Sequence, residues 1–215
     1  MAYEFHKRFV DHNFNRIWNK PWQPYSYEFF RREQLLPVIR QIDVGLDLHS
    51  TSKSSPVMGI MNEKFLGDFL QFGNVEVILT WDCKNSWTLV NWMKQRDKKV
   101  FGLETGNHYQ SGSYKIGLEH SLNLLRWQGM IEWKPQAMSS KLLVLEFFEE
   151  IVPYYEDFEF LKDFEGFEFL PQGTPYAKDW GKLLVAPRDV RIGLVAKKPM
   201  IGDGAGFLFV ERLNV

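Results

Sequence analysis

A single cysteine, Cys83, stands in the chain. One thiol cannot close an internal disulfide, so nothing in the sequence points to secretion, and Cys83 itself reads as a small buried hydrophobe. The opening residues, Met-Ala-Tyr-Glu-Phe-His-Lys-Arg, lack the apolar core of a signal peptide. No stretch approaches the ~18 uninterrupted apolar residues of a membrane span. The best run, Leu142 to Val152, is broken by Glu146, Glu149 and Glu150. Charge of one sign is lacking too: 26 Lys and Arg against 27 Asp and Glu leave −1, no electrostatic basis for binding nucleic acid. Repeats and low-complexity tracts are absent. What remains is 215 residues of ordinary globular composition, 45% hydrophobic and 25% charged, which argues against disorder. That length suits one large domain, or a medium domain with a small appendage. The expectation is a soluble, cytoplasmic protein with no nucleic-acid or membrane partner.

Short apolar runs alternate with amphipathic segments over the first two-thirds of the chain. Val44 to Leu48, Val75 to Trp81 and Val100 to Leu103 have strand length and composition. Helices are expected over Tyr27 to Ile42, with Pro37 marking an end or a kink, over Asn62 to Phe72, and from Ser113 as N-cap to Met130. The alternation favours an α/β domain with a mainly parallel sheet. Near Lys134 to Ser140 the character changes to a polar, Pro-containing linker. Beyond it, β-prone runs at Leu142 to Phe148, Phe164 to Leu170, Lys182 to Ala186, Ile192 to Ala196 and Phe207 to Val210 read as a small all-β domain. The expected division is 1–135 and 136–215. The acidic cluster from Glu146 to Glu168 reads as a solvated surface, and the tryptophans as core.

Three segments could carry chemistry. Asp43-Val-Gly-Leu-Asp-Leu-His-Ser-Thr51 sets His49 at the carboxyl end of a strand, two residues after Asp47. Ligands bind outside the carboxyl ends of strands in open α/β sheets, so His49 could ligate a metal with Asp47 orienting it; from these residues alone a loop histidine making an ordinary hydrogen bond is the favoured reading. In Lys99-Val-Phe-Gly-Leu-Glu-Thr-Gly106 a second strand ends in a carboxylate, Glu104, which suits either a general base or a turn carboxylate. Arg8-Phe-Val-Asp-His-Asn-Phe-Asn-Arg16 gathers arginine and asparagine, a pairing suited to a carboxylate ligand or to a solvated basic turn.

Together these segments resemble the succinylglutamate desuccinylase/aspartoacylase family of the zinc carboxypeptidase clan. Arg8 to Arg16 resembles its Arg-Tyr-(Ile/Val)-Asp-x-Asp-Leu-Asn-Arg motif, Asp47-Leu-His-Ser-Thr51 its Asp-Leu-His-(Ser/Asn)-Thr motif, and Gly102-Leu-Glu-Thr-Gly106 its (Ile/Val)-Glu-x-Gly motif, in the same order. Phe167 to Pro175 and Ala186-Pro187 resemble its C-terminal β-domain. The resemblance implies a carboxypeptidase-like mixed or parallel sheet with flanking helices, followed by the β-domain. It implies zinc-dependent hydrolysis of a small N-acyl amino acid. His49 would be a zinc ligand and Asp47 its support. Glu104 would be the catalytic base, and Arg8 would stabilise the oxyanion. Asn15 and Arg16 would grip the amino-acid carboxylate, and Arg96 the acyl-side carboxylate.

One family motif has no counterpart: His-Gly-x-Glu, the source of the other two zinc ligands, occurs nowhere in the chain. A catalytic zinc needs three protein ligands, so the resemblance implies that the other two come from a segment ahead of Met1. His108, four residues after Glu104, is the alternative donor. Without that segment the chain reads as a non-catalytic paralogue that keeps the carboxylate pocket or serves as a structural subunit. A missing first strand would also bare a sheet edge, which another segment or a second copy of the chain would cover.

Overall fold

The computed structural model describes residues 9–51, 55–81, 87–107, 109–132 and 142–212. Cys83, Arg8, His108 and the expected linker at 134–140 lie outside the described residues. The chain forms two compact units, Met1–Asp47 with Asp82–Gly102, and Leu48–Trp81 with Leu103–Val215. Four helices are described: α1 (Tyr27–Ile39), α2 (Leu66–Phe69), α3 (Leu89–Lys94) and α4 (Ser113–Trp127). The earlier strands are β1 (Val44–Thr51), β2 (Met58–Met61), β3 (Val77–Thr80), β4 (Lys99–Asn107) and β5 (Leu143–Ile151). The later ones are β6 (Glu159–Phe160), β7 (Phe167–Leu170), β8 (Pro175–Asp179), β9 (Lys182–Val185), β10 (Val190–Gly193) and β11 (Gly206–Glu211).

An eight-stranded sheet runs in the order β1-β4-β2-β3-β5-β11-β10-β7, and β6-β8-β9 form a second sheet. β2, β3 and β5 run parallel, while β5, β11, β10 and β7 are antiparallel neighbours. The sheet is therefore mixed, as expected. The C-terminal third contains strands and no helix among its described residues, yet four of its strands extend the large sheet. Parallel strands must be buried on both faces, which explains why β3 reads Val-Ile-Leu-Thr without alternation. Among the described residues no helix is long and apolar enough to cross a membrane.

In the first unit, Phe29, Arg32, Leu36 and Ile39 make the buried stripe of α1. Trp18, Leu36, Ile39, Trp92, Met93 and Val100 form its core. Gly45 on β1 lets α3 approach, since a Cβ there would stand 3.0 Å from Met93 Cε. The 9–16 segment is tied down by α1. Glu28 is buried and accepts from the backbone N–H groups of Val10 (2.6 Å), Asp11 (3.1 Å) and His12 (3.1 Å). Asp11 returns the contact by accepting from Tyr27 N at 2.8 Å, at the first turn of α1.

In the second unit, Met58, Val77, Leu79, Leu145, Phe167 and Phe209 form one core cluster. Trp81 stacks on Phe147 at 5.1 Å and meets Phe207 edge-on at 4.6 Å. Beyond β5, the buried carboxylate of Asp179 accepts from Tyr154 N and Tyr155 N and fixes that turn.

Several boundaries differ from the sequence reading. Helix α1 stops at Ile39, two residues past Pro37, where Arg40 N and Gln41 N close the last turn onto Leu36 O and Val38 O. Ser113 is not the N-cap of α4: Gly112 holds that place, and the Ser113 hydroxyl donates to Asn107 O at 2.7 Å. The expected helix at 62–72 shrinks to a 3-10 turn, Glu63–Phe65, followed by α2. Its return is tight, with Gly73 N bonded to Phe69 O, and a Cβ on Gly73 would enter the Phe69 ring. Three of the tryptophans expected in the core, Trp22, Trp87 and Trp180, are 49%, 41% and 61% exposed.

The Glu28 clamp makes a pH-dependent prediction. Burial opposes the charged form, but the three backbone donors outweigh it and hold the Glu28 carboxyl below its ordinary value. Its contribution is therefore present above the unfolded carboxylate pKa of about 4.3 and is lost as pH falls through the lower folded value. Glu28→Gln should cost about 1–3 kcal/mol at pH 7, and the gap from wild type should narrow below about pH 4. Urea midpoints at pH 7 and pH 3.5 (about one unit below the ordinary carboxylate value) test this; a gap independent of pH would assign the loss to packing alone.

Candidate functional site

β1 and β4 are neighbours that run parallel, because their mutual contacts climb both strands together. Lys99 N donates to Asp43 O at 3.1 Å, and Thr105 Oγ1 donates to His49 O at 3.0 Å. Further along, Thr51 Oγ1 donates to Gly106 O at 3.2 Å and shares a 2.7 Å hydrogen bond with Ser55 Oγ. His49 and Glu104 thus lie in the carboxyl halves of adjacent parallel strands, where such sheets present ligands.

Their side chains share one face. The Cβ position of Gly117 on α4 lies 3.6 Å from Thr105 Cγ2 and 3.7 Å from Leu48 Cδ1, so Thr105 and Leu48 face α4. Successive strand residues point to opposite faces, which turns His49 and Glu104 together to the face away from α4. Both are half-buried, and one carboxylate oxygen of Glu104 is sealed from solvent. Asp47, two residues before His49, lies on the same side of β1. Gly106 ends this stretch of β4 at φ +92°, where an L side chain would be strained.

In the first unit, Asn15 and Arg16 stand in a 3-10 turn, Phe14–Arg16, whose N-cap is Asn13, its side chain accepting from Asn15 N. Asn15 Oδ1 accepts from Leu89 N at 2.9 Å, at the first turn of α3. Arg16 is exposed and donates Nη1 to Asn15 O at 2.9 Å. Arg96 is elsewhere: it follows the last turn of α3, stacked 3.9 Å over the Trp92 ring with Nη1 donating to Trp92 O. The structure thus brings Asn15 to one end of α3 and leaves Arg96 at the other.

Metal donors are few. Among the described residues no group of three His, Cys, Asp or Glu side chains could hold a metal ion. His49 is one candidate ligand, and a single imidazole does not fit a catalytic zinc. His120 is buried on α4, its ring nitrogens near Ile116 O and Asn74 O at 2.8 and 3.1 Å, which is a packing role. Sequence reasoning passed over Thr51, Thr105 and Glu28, whose lateral ties position the candidate residues; a threonine or glutamate carries no signal of a partner 16 to 56 residues away.

No family model matches the chain, and no curated protein matches it. Its fold, however, is one already seen in solved deacylase structures. A succinylglutamate desuccinylase from Vibrio cholerae superposes with a TM-score of 0.79 at 20% identity, over 98% of this chain and 68% of that one. Its counterpart from Vibrio parahaemolyticus gives 0.77 at 22% identity with the same coverage. A succinylglutamate desuccinylase/aspartoacylase from Rhodobacter sphaeroides gives 0.70 at 15%, over 99% and 73%. At these identities the likeness establishes the fold, which is the fold the motifs implied; activity must be argued from the site.

Asn15 and Arg16 should separate cleanly by stability. Asn15→Ala removes the acceptor at the start of α3 and should cost about 1 kcal/mol. Arg16→Ala, at an exposed position, should stay within about 0.5 kcal/mol of wild type. Thermal and urea unfolding measure both, and a large loss in Arg16→Ala would make that side chain structural.

Proposed function

We propose that the chain is a deacylase of the succinylglutamate desuccinylase/aspartoacylase kind, hydrolysing the amide bond of an N-acyl amino acid. The observation that carries this reading is the pairing of His49 and Glu104 on one face of adjacent parallel strands, within a fold shared with desuccinylases. Glu104 takes a proton from the attacking water as the water oxygen bonds to the acyl carbon. It returns that proton to the amine nitrogen as the C–N bond breaks, leaving a carboxylate and a free amino acid. Asn15 and Arg16 are assigned to the amino-acid carboxylate by the motif resemblance, a guanidinium fork matching two carboxylate oxygens. Arg8 is assigned to the oxyanion by the motif alone.

Zinc at His49 belongs to the proposal, with two further ligands from outside the described residues. The described donors do not by themselves fit the metal, and that mismatch favours one second reading, a carboxylate-binding protein without turnover. Incubation with zinc and a panel of N-acyl amino acids, reading released amine and ligand binding, separates the two. Turnover that falls ~10²–10⁴-fold in kcat in Glu104→Gln, with substrate binding kept, supports the deacylase. Binding without turnover, weakened by Arg16→Lys, supports the second reading. A chain that neither binds nor cleaves N-acyl amino acids refutes both.

A further inference from the structure

The first unit contains a cleft of about 300 Å³ that the proposed hydrolysis does not use. Its charge is one-sided. Lys20, Arg32, Arg40 and Arg96 line it, and Glu33 is the carboxylate among its lining residues. Glu33 is committed to Arg32: Oε1 accepts from Nε at 3.0 Å and from Nη2 at 2.7 Å. Arg32 also donates Nη1 to Ile17 O and Lys20 O, so it acts as a clip between α1 and the 17–20 turn. Lys20, Arg40 and Arg96 are left as three cations, and among the described residues none of them forms an ion pair.

Arg96 is set in place before any ligand arrives. The Trp92 ring supports one face of its guanidinium, and Trp92 O holds Nη1. Burial, and then the charge of Arg40, push the Arg96 guanidinium below its ordinary value, so the two arginines are close enough to repel. A counter-anion would relieve that repulsion, and a preorganised guanidinium loses little freedom in binding one.

We propose that this cleft binds a small multivalent oxyanion, a phosphate compound or a di- or tricarboxylate, through Arg40, Arg96 and Lys20. Two guanidinium groups supply planar forks and the ammonium a movable point charge. A volume of about 300 Å³ is at the small end of ligand sites. The cleft is separate from the Asn15 and Arg16 contact, because Asn15 meets the first turn of α3 and Arg96 follows its last; Arg96, which the motif resemblance would give to the acyl-side carboxylate, is assigned here to the cleft anion instead.

The test is calorimetric titration of the full chain at constant ionic strength, with pyrophosphate and citrate as probes and chloride as the balancing ion. One probe should saturate at a stoichiometry near one, with Kd below about 1 mM, the weak end of specific binding. The Arg40→Gln/Arg96→Gln variant should weaken it at least ~10-fold. Because Arg96→Gln also removes a stack on Trp92, the Lys20→Gln/Arg40→Gln variant provides a second reading and should lose a similar factor. Tighter pyrophosphate assigns a phosphate ligand, and tighter citrate a polycarboxylate. Arg16→Ala should leave the affinity unchanged. Failure of both probes to saturate wild type, wild-type affinity in both double variants, or an equal loss in Arg16→Ala would overturn the proposal. Since the readout is binding of ions that are not deacylase substrates, its failure leaves the hydrolytic reading untouched.

Discussion

The parallel pairing of β1 with β4 is the constraint on which the candidate site depends. A strand presents alternate residues to alternate faces, so a slip of one residue between these strands would send His49 or Glu104 to the α4 side. Two threonine hydroxyls guard the register. Thr105 bonds His49 O and Thr51 bonds Gly106 O, each tying one strand's side chain to the other's backbone. On the opposite face Gly117 admits Thr105 and Leu48 against α4 with ordinary contacts near 3.6 Å. The small residue on the helix and the hydroxyls on the strands therefore act as one device.

In the first unit, polar side chains serve the backbone before they serve any ligand. Glu28 collects three N–H groups, Arg32 collects two carbonyls, Asp11 receives the start of α1, and Asn15 receives the start of α3. Buried main-chain groups must be satisfied, and in a segment without regular structure side chains are the available partners. The motif from Phe9 to Arg16 is held in place by these bonds, so its polar residues carry architecture first. Arg16 is the exception, exposed and bonded to its own neighbour.

The second unit is held differently. Aromatic rings from β5 and β11 gather around Trp81, Phe167 of β7 meets Phe209 edge-on, and the antiparallel strands carry the sheet on past its parallel part. Short carboxylate-bound turns finish the job: Asp179 holds Tyr154 and Tyr155, and Asp157 holds Trp180 and Gly181. Trp180 sits at φ +50°, which those two bonds to Asp157 stabilise.

Local pattern determined much of this protein. Apolar runs mark the strands at 44–51, 99–107 and 143–151, helical spacing marks α1 and α4, and three motifs in order point to the fold. Short elements escaped because four residues such as Met58 to Met61, with a glycine among them, carry no periodicity to read. Gly112 rather than Ser113 caps α4 because a serine hydroxyl can bond either its own helix or a nearby carbonyl, and here Asn107 O is within reach. Which side chains share a face, which end of α3 receives Asn15 and which keeps Arg96, and where three cations gather around one cleft were left to the tertiary structure. Those facts depend on pairings between residues tens of positions apart, and such contacts are set by packing and register rather than by any residue's neighbours in the chain.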